Sequence, residues 1–563
     1  MRLQTEGSMT QAGYDLCQKC KLAIALTILA AYTFSGESAK AQIQPDATLP
    51  NNSSVIPLGP LKIINGGTRA GNNLFHSFSE FSLPTANIAY FNNALDIANI
   101  FSRVTGGNPS NINGILAANG STNLFFLNPN GIILGPNTQL NIGGSFISTT
   151  ANSIGFGSQG NFNATIPNDP SLLTINPSFF QYDRAATQPA NSIEVRGNLF
   201  VNSGKSILLV GGNSTPNSQS TGRILIDGTI NGFLIAREGR IEIGGLSAPG
   251  IIGLERDANN PGLMSLSFPQ NVEKIDVSLL NRVALDVRGN NGGAVAISAR
   301  QLNVKESVIV AGIANNAGFP GAKAGDISLN ATEAKLDISI LINQVSRQSI
   351  GDGGNINIAA QRLNLTGGTQ IASATAGRGN TGNVTIKVSE NINLDGQRSN
   401  GVPSTIGSVA ALGSEGNGGN VEITTGTLNV TNGGQIQAAT SGRGNAGNAT
   451  IVASNSINLD GEGKIGASAI GSVVSPGAVG NGGMLSLTAP TLNLTNGAQI
   501  QASTLGRGNA GSLRIFASNS VNLDGQGSQG ASVIASPVEP GAVGNGGNLE
   551  INTDTLNITN GAQ

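Results

Sequence analysis

The chain has 563 residues with 30 Lys and Arg against 32 Asp and Glu, a formal net charge of -2, and only 11% charged residues. That balance excludes a strong electrostatic pull toward nucleic acid or acidic lipid. The 79 glycines follow no Gly-X-Y period, which excludes collagen, and the aliphatic content argues against disorder. Trp is absent and aromatics are 4%, so the core must be built from Ile, Leu, Val and Ala, as suits a narrow, repetitive interior.

Residues 1–41 read as a secretory signal peptide. Lys19 and Lys21 precede the apolar run LAIALTILAAYTF, and Ala39 and Ala41 stand before a cut at Gln42. The run is too short to span a bilayer comfortably. Cys17 and Cys20 form a CxxC inside the removed segment, so no metal or redox role is expected, and the mature chain has no cysteine.

Residues 42–165 are non-repetitive but β-like, and they concentrate phenylalanines at 75, 78, 81, 91, 101, 125, 126 and 146. These are expected to plug the end of a strand stack. The segment Asn128-Pro129-Asn130-Gly131 reads as a tight turn between LFFL and IIL, since Pro-Asn-Gly suits a left-handed position. From 166 to 290 the pattern loosens, with strands such as SIEVRGNLFV and GRIEIGG, and LERDANNPGLMSLSFPQ looks like a loop excursion.

Residues 291–563 repeat. Gly-Gly pairs at Gly353, Gly418, Gly482 and Gly546 recur every 64 to 65 residues, followed by units such as GGNVEITTGTLNVTNGGQIQA. GRGN at Gly377, Gly442 and Gly506 and LDG at Leu394, Leu459 and Leu523 keep the same period. Apolar and polar residues alternate over three to five positions between Gly and Asn, which is a strand signal. A short strand buries its apolar face only on a stacked neighbour. The expected fold is all-β: a right-handed parallel β-helix with an N-terminal capping domain, three coils per 64-residue unit. Asn429, Asn458, Asn493 and Asn522 are candidates for side-chain ladders. The last residues, LNITNGAQ, stop within a coil, so the chain is expected to be part of a longer exoprotein.

The N-terminal segment resembles the secretion domain of the filamentous haemagglutinin family, the exoproteins of two-partner secretion, in the style of large cyanobacterial members. The resemblance rests on Asn73-Leu74-Phe75-His76-Ser77-Phe78, Arg103-Val104-Thr105-Gly106-Gly107, Gly114 with Leu116, Leu124-Phe125, Asn128-Pro129-Asn130-Gly131-Ile132 and Gly144-Ser145-Phe146. It covers roughly residues 50 to 155. A departure is Asn92-Asn93-Ala94-Leu95, where the family often has Asn-Pro-Asn-Leu. The resemblance implies passage by the general secretory machinery, then recognition by the periplasmic domains of an outer-membrane β-barrel transporter. It implies a secreted or surface-retained, adhesin-like rod whose ligand is a host cell, a surface or a glycan. It also makes Arg103, Gly106 and Asn128 to Ile132 candidates for transporter recognition or for the cap turn.

No catalytic constellation emerges, and no cofactor, metal or nucleic-acid partner is expected. The single histidine, His76, lies among apolar residues. Asp395, Asp460 and Asp524 occur once per unit, as turn residues do, whereas glycoside chemistry needs two acids across one cleft. Arg378, Arg443 and Arg507 also recur and are expected at solvent-facing corners, where a row of them could bind anionic glycans or phosphates. Two other function classes stay open: a polysaccharide-active β-helix enzyme and a structural surface or matrix fibre.

Overall fold

Short alternating strands have too little apolar area to stand alone, and here they wind into stacked coils. The structure, a computed structural model, describes residues 43–183, 192–212, 222–258, 260 and 262–563. The signal-peptide expectation for 1–41, with Cys17 and Cys20, lies outside the described residues.

Each coil has three sides. Side one stacks Asn73–Phe81, Asn99–Val104, Asn123–Leu127, Phe146–Thr149, Ser206–Gly212 and Arg240–Leu246 in parallel register. Side two stacks Ser110–Ile112, Ile132–Leu134, Ile193–Val195, Arg223–Asp227 and Asp276–Leu280. From Ala294–Lys305 onward, sides one and two run together as bent strands of 11 or 12 residues. Side three begins in a five-stranded sheet and continues as an 11-stranded parallel sheet from Leu199–Val201 to Val533–Ala535. This is a parallel β-helix, and one continuous apolar core fills it from Ile43 to Ile534.

The 64-residue unit holds two coils, not the three expected. Equivalent asparagines in successive coils are 28 and 36 residues apart in alternation. VEI and LNV are two sides of one coil, lying in the single strand Val421–Thr431, and Gln435–Thr440 is its third side. The stretch expected to be a third coil supplies Ala469–Val474, the third side of the next one. The bend between sides one and two is a register irregularity at Gly426, between Thr425 and Thr427, and at Pro490 two coils on, with no loop to separate the two sides. The longer coil carries an added loop at 396–404, 461–468 or 525–532. These loops bond to one another two coils apart: Lys464 N donates to Gln397 Oε1 at 2.9 Å and Ser528 N to Glu462 Oε1 at 2.6 Å.

Side chains on the outer face are equally ordered. Asn364, Asn393, Asn429, Asn458, Asn493, Asn522 and Asn557 form an amide ladder, each Nδ2 donating to the preceding Oδ1 at 2.8–2.9 Å. A second column, beginning Asp352, Asn380, Asn417 and Asn445, uses each side-chain oxygen to accept the backbone N–H one coil on. Every rung contributes about 1 kcal/mol net. Asp395 and Asp524 accept from the Thr and Asn side chains of the following coil, Thr431 with Asn432 and Thr559 with Asn560.

The corner after side two needs a left-handed residue in each of these coils. Gly396, Asn432, Gly461, Asn496, Gly525 and Asn560 fill it with φ between 51° and 77°. Ile338 occupies the same corner at φ 51°, and its β-branched side chain is 40% exposed. A left-handed L-residue costs roughly 1–2 kcal/mol, and asparagine tolerates the conformation best after glycine. Ile338→Asn is therefore expected to stabilise the protein by about 1 kcal/mol, read as a higher urea midpoint at unchanged slope. A lower midpoint would show that the isoleucine side chain matters more than the backbone.

Candidate functional site at the first coils

The corner between sides one and two distinguishes the N-terminal part from the repeats. Asn128-Pro129-Asn130-Gly131 makes this corner in one coil, between Asn123–Leu127 and Ile132–Leu134. Asn128 is fully buried. Its Oδ1 accepts the Asn130 N–H at 2.9 Å, and its Nδ2 donates to Ser110 Oγ at 2.9 Å and Asn108 O at 3.1 Å. Asn130 Nδ2 donates to Gly106 O at 2.6 Å. Gly131 takes φ 115°, donates to Asn128 O, and accepts from Ser110 N. Ile132 is buried, pairs with Ser110 and Ile193, and donates its N–H to Ser192 O at 3.0 Å. The turn expected from Pro-Asn-Gly is present, and its side chains clamp the coil beneath.

Gly106 lies in the corner of that lower coil. A β-carbon there would stand 2.0 Å from Ser79 O, so only glycine fits. Arg103 is adjacent in sequence but serves a different cluster. Its side chain is fully buried on the outer side of the coil. Nε donates to Ser77 Oγ at 2.9 Å, one terminal nitrogen to Asn163 O at 2.9 Å, and the other to Thr48 Oγ1 at 2.9 Å. The guanidinium carbon lies 4.3 Å from the centre of the Phe162 ring. Burial pushes the Arg103 pKa down to about 10, opposed by the charge of Asp46. At Asp46, burial would raise the carboxyl pKa, but hydrogen bonds from Thr105, Thr48 and Ser77 hold it below the usual value. Arg103 and Asp46 thus tie residues 46–48, the first two coils and the 163–168 segment together. Nothing in the sequence pattern marks Asp46, Thr48 or Asn163 as partners, because each is brought in from a different part of the chain.

The outer face of the first coils is apolar and covered. Strands Ser153–Gly155, Asn161–Asn163, Phe179–Tyr182, Gly250–Arg256 and Met264–Ser267 form an antiparallel sheet outside the helix. The stretch read as an excursion, LERDANNPGLMSLSFPQ, supplies its last hairpin. Beneath it Phe75, Phe101 and Phe125 stack with centroids 5.0 and 4.7 Å apart. Phe78, Phe81, Phe91, Phe126 and Phe146 face the interior instead. The aromatics therefore serve two cores rather than the single end plug expected. At the first coil, Ile43–Pro45 lies antiparallel to residues 78–81, and Ser53–Leu58 pairs antiparallel with Leu61–Gly66. Asn93, where the family's proline is missing, still bonds upward: its Oδ1 accepts Asn119 N at 2.9 Å and its Nδ2 reaches Thr122 Oγ1 at 3.1 Å.

His76 points into the interior, where Nδ1 meets Ser53 Oγ at 3.0 Å and Nε2 has no partner among the described residues. Burial lowers its pKa to about 3. Among the described residues, no group of three or more His, Cys, Asp or Glu is placed to hold a metal, and no helix is long and apolar enough to cross a membrane.

Residues 41–297 match the family model described as the TPS secretion domain, that of two-partner secretion. The segment is a TPS secretion domain. Its match ends within Ala294–Lys305, the first strand in which sides one and two run on unbroken. The match thus spans both the 42–165 and the 166–290 stretches. A heme/hemopexin-binding protein of Haemophilus influenzae is 33% identical over 134 residues, 22% of this chain. The chain covers 14% of that relative's length. The crystal structure of the HMW1 secretion domain from Haemophilus influenzae aligns over 91% of this chain and 100% of its own, with 13% identity and a TM-score of 0.38. A TPS secretion domain marks the chain for export through the periplasm to the exterior or the outer cell surface.

Two outcomes follow for this domain. Arg103→Met strands the Asn163 carbonyl and the Ser77 and Thr48 hydroxyls that the buried guanidinium holds, and is expected to cost about 3 kcal/mol in chemical denaturation. Arg103→Lys should recover less than half of that, because one ammonium cannot span Ser77, Thr48 and Asn163. A loss below about 1 kcal/mol for the methionine variant would contradict a supporting role. For His76, the folded pKa is depressed, so the unfolded chain takes up the proton first as pH falls below about 6.5. Stability is expected to be flat above that pH and to drop by about 1.4 kcal/mol per pH unit toward pH 3. His76→Phe should abolish this component, and denaturation at pH 7, 5 and 4 measures it.

Proposed function

We propose that the chain is a two-partner secretion exoprotein whose TPS domain engages an outer-membrane transporter and whose rod is displayed, adhesin-like, outside the cell. The observation that carries this reading is the TPS match at 41–297 followed by a continuous stack of coils. Transporter recognition by the domain requires a surface that is formed, or formable, in the periplasm. The corner of Asn128 to Ile132 with Gly106, and the Arg103 network, are the features we assign to it. Asn130 is half-buried at the corner. Its side chain makes the 2.6 Å bond to Gly106 O, so it can report on both folding and recognition.

The test is export from a Gram-negative host carrying the cognate transporter. Deleting residues 42–165 should abolish appearance outside the cell. Asn130→Ala removes one hydrogen bond, about 1 kcal/mol, and is expected to lower export at least tenfold, far more than the accompanying small fall in the denaturation midpoint accounts for. Export at the full level after the deletion would refute the domain's role. A fall in export matched by a fall in stability would make the corner purely structural.

A further inference from the structure

Most recurrent residues of the repeats are accounted for by backbone geometry or by ladders. The arginines of GRGN are not. Arg378, Glu415, Arg443, Val479, Arg507 and Val543 form one column along the rod, each joined to the next by a parallel bridge. The bridges use only backbone, so any side chain fits, as Glu415 and the valines show. Yet arginine stands at all three GRGN positions, while the exposed or half-buried neighbour two residues earlier changes from Ala376 to Ser441 to Leu505. Arg378 Nε lies 3.1 Å from Glu415 Oε2 in an exposed ion pair of little energetic weight. Arg443 and Arg507 are exposed and have no side-chain partner among the described residues.

Coils rise by about 4.8 Å, so these arginines recur roughly every 9.6 Å along the axis. Between the two free guanidiniums sits Val479, 48% exposed, and beyond Arg507 sits Val543, 63% exposed. From Arg443 onward the column therefore alternates a cation with an apolar step, whereas Glu415 fills the step between Arg378 and Arg443 and engages Arg378. Toward its start it opens into a groove of about 690 Å³ lined by Arg347, Ile350, Arg378 and Leu412.

We propose that this column binds a linear acidic polysaccharide lying along the rod, one carboxylate per disaccharide. Each guanidinium forks onto a carboxylate, and the uncharged sugar between two acids rests its C–H face on the valine. The disaccharide repeat of an extended glycan is close to two coil rises, so successive acids meet successive arginines. Duplex nucleic acid, with a phosphate about every 3.4 Å per strand, and densely sulfated glycans carry charge at too short a spacing to be matched this way. The inference names a ligand for the displayed rod and rests on the exported-protein reading only for its setting. Purified chain is used below, so export and binding can fail separately.

The experiment measures binding of the purified full chain to hyaluronan, which has one carboxylate per disaccharide, with dextran and duplex DNA as comparison polymers. Hyaluronan should bind, weaken with salt, and lose at least tenfold in affinity in the double variant Arg443→Gln, Arg507→Gln. Val479→Glu, an acid set between the two arginines, should weaken binding by a similar factor. Arg514→Gln, on another face and paired with Glu550, should leave it unchanged, and circular dichroism should be the same for all variants. Absence of hyaluronan binding, an unaltered affinity in the double variant, or equal binding of dextran or DNA would overturn the proposal.

Discussion

Every coil of this protein depends on the coil before it and the coil after it. A side is three to nine residues long, too short to form a sheet with anything but its own stack. The stack must therefore stay in register, because a shift of one residue would turn the apolar side chains outward. That single requirement selects the residue type at each level. Val421, Ala449, Leu485, Leu513 and Leu549 share one inward column. Asn429, Asn458, Asn493 and Asn522 share one outward column and are bonded to each other throughout. The amide ladder costs nothing in buried polarity, since each rung satisfies its neighbour, and it penalises any slip by breaking a whole row of bonds at once.

The same requirement explains why the N-terminal domain looks unlike the repeats. Among the described residues the first coil has no coil beneath it, and antiparallel strands at Ile43–Pro45 and Ser53–Leu58 complete it. Its outer face carries Phe75, Phe101 and Phe125 where the repeats carry polar residues, and an added antiparallel sheet covers that face. The chain leaves the coil for this sheet at the corner between sides one and two. It is the corner that Asn128 to Gly131 closes tightly one coil earlier, and the one that disappears from Ala294 onward. Arg103 can be buried only because this cover exists: two of its partners, Asn163 and Asn168, lie in the added segment.

The repeat and its strand character were legible in the sequence, because in-register stacking writes itself as periodicity. The asparagine ladder was legible for the same reason. The number of coils was not. Counting apolar runs treats VEI and LNV as separable units, yet they are two sides of one bent strand, and the bend is marked only by a single breaker, Gly426 or Pro490, which does not interrupt the strand. The role of the Pro-Asn-Gly turn was readable as local chemistry. Its clamp onto Gly106, 24 residues away, was not, and neither were the bonds of Arg103 to Thr48 and Asn163, because no short-range pattern encodes a contact between such distant residues. The phenylalanines were readable as a core, but alternation in a strand with both faces buried cannot tell inside from outside.

The two halves of the chain consequently pose different folding problems. In the rod, each new coil contacts chain placed 28 or 36 residues earlier, so a formed edge can template the next coil at low entropic cost. The TPS domain closes over much longer separations. Asn73 bonds Leu173 O across 100 residues, and Arg256 reaches Asn99 across 157. Contacts of that range are the slow ones to form. A chain threaded through a membrane from its N-terminal end would complete these closures first and then add coils one at a time on a finished edge. The division between an irregular, covered domain and a uniform rod is then a division between the part that must nucleate and the part that only propagates.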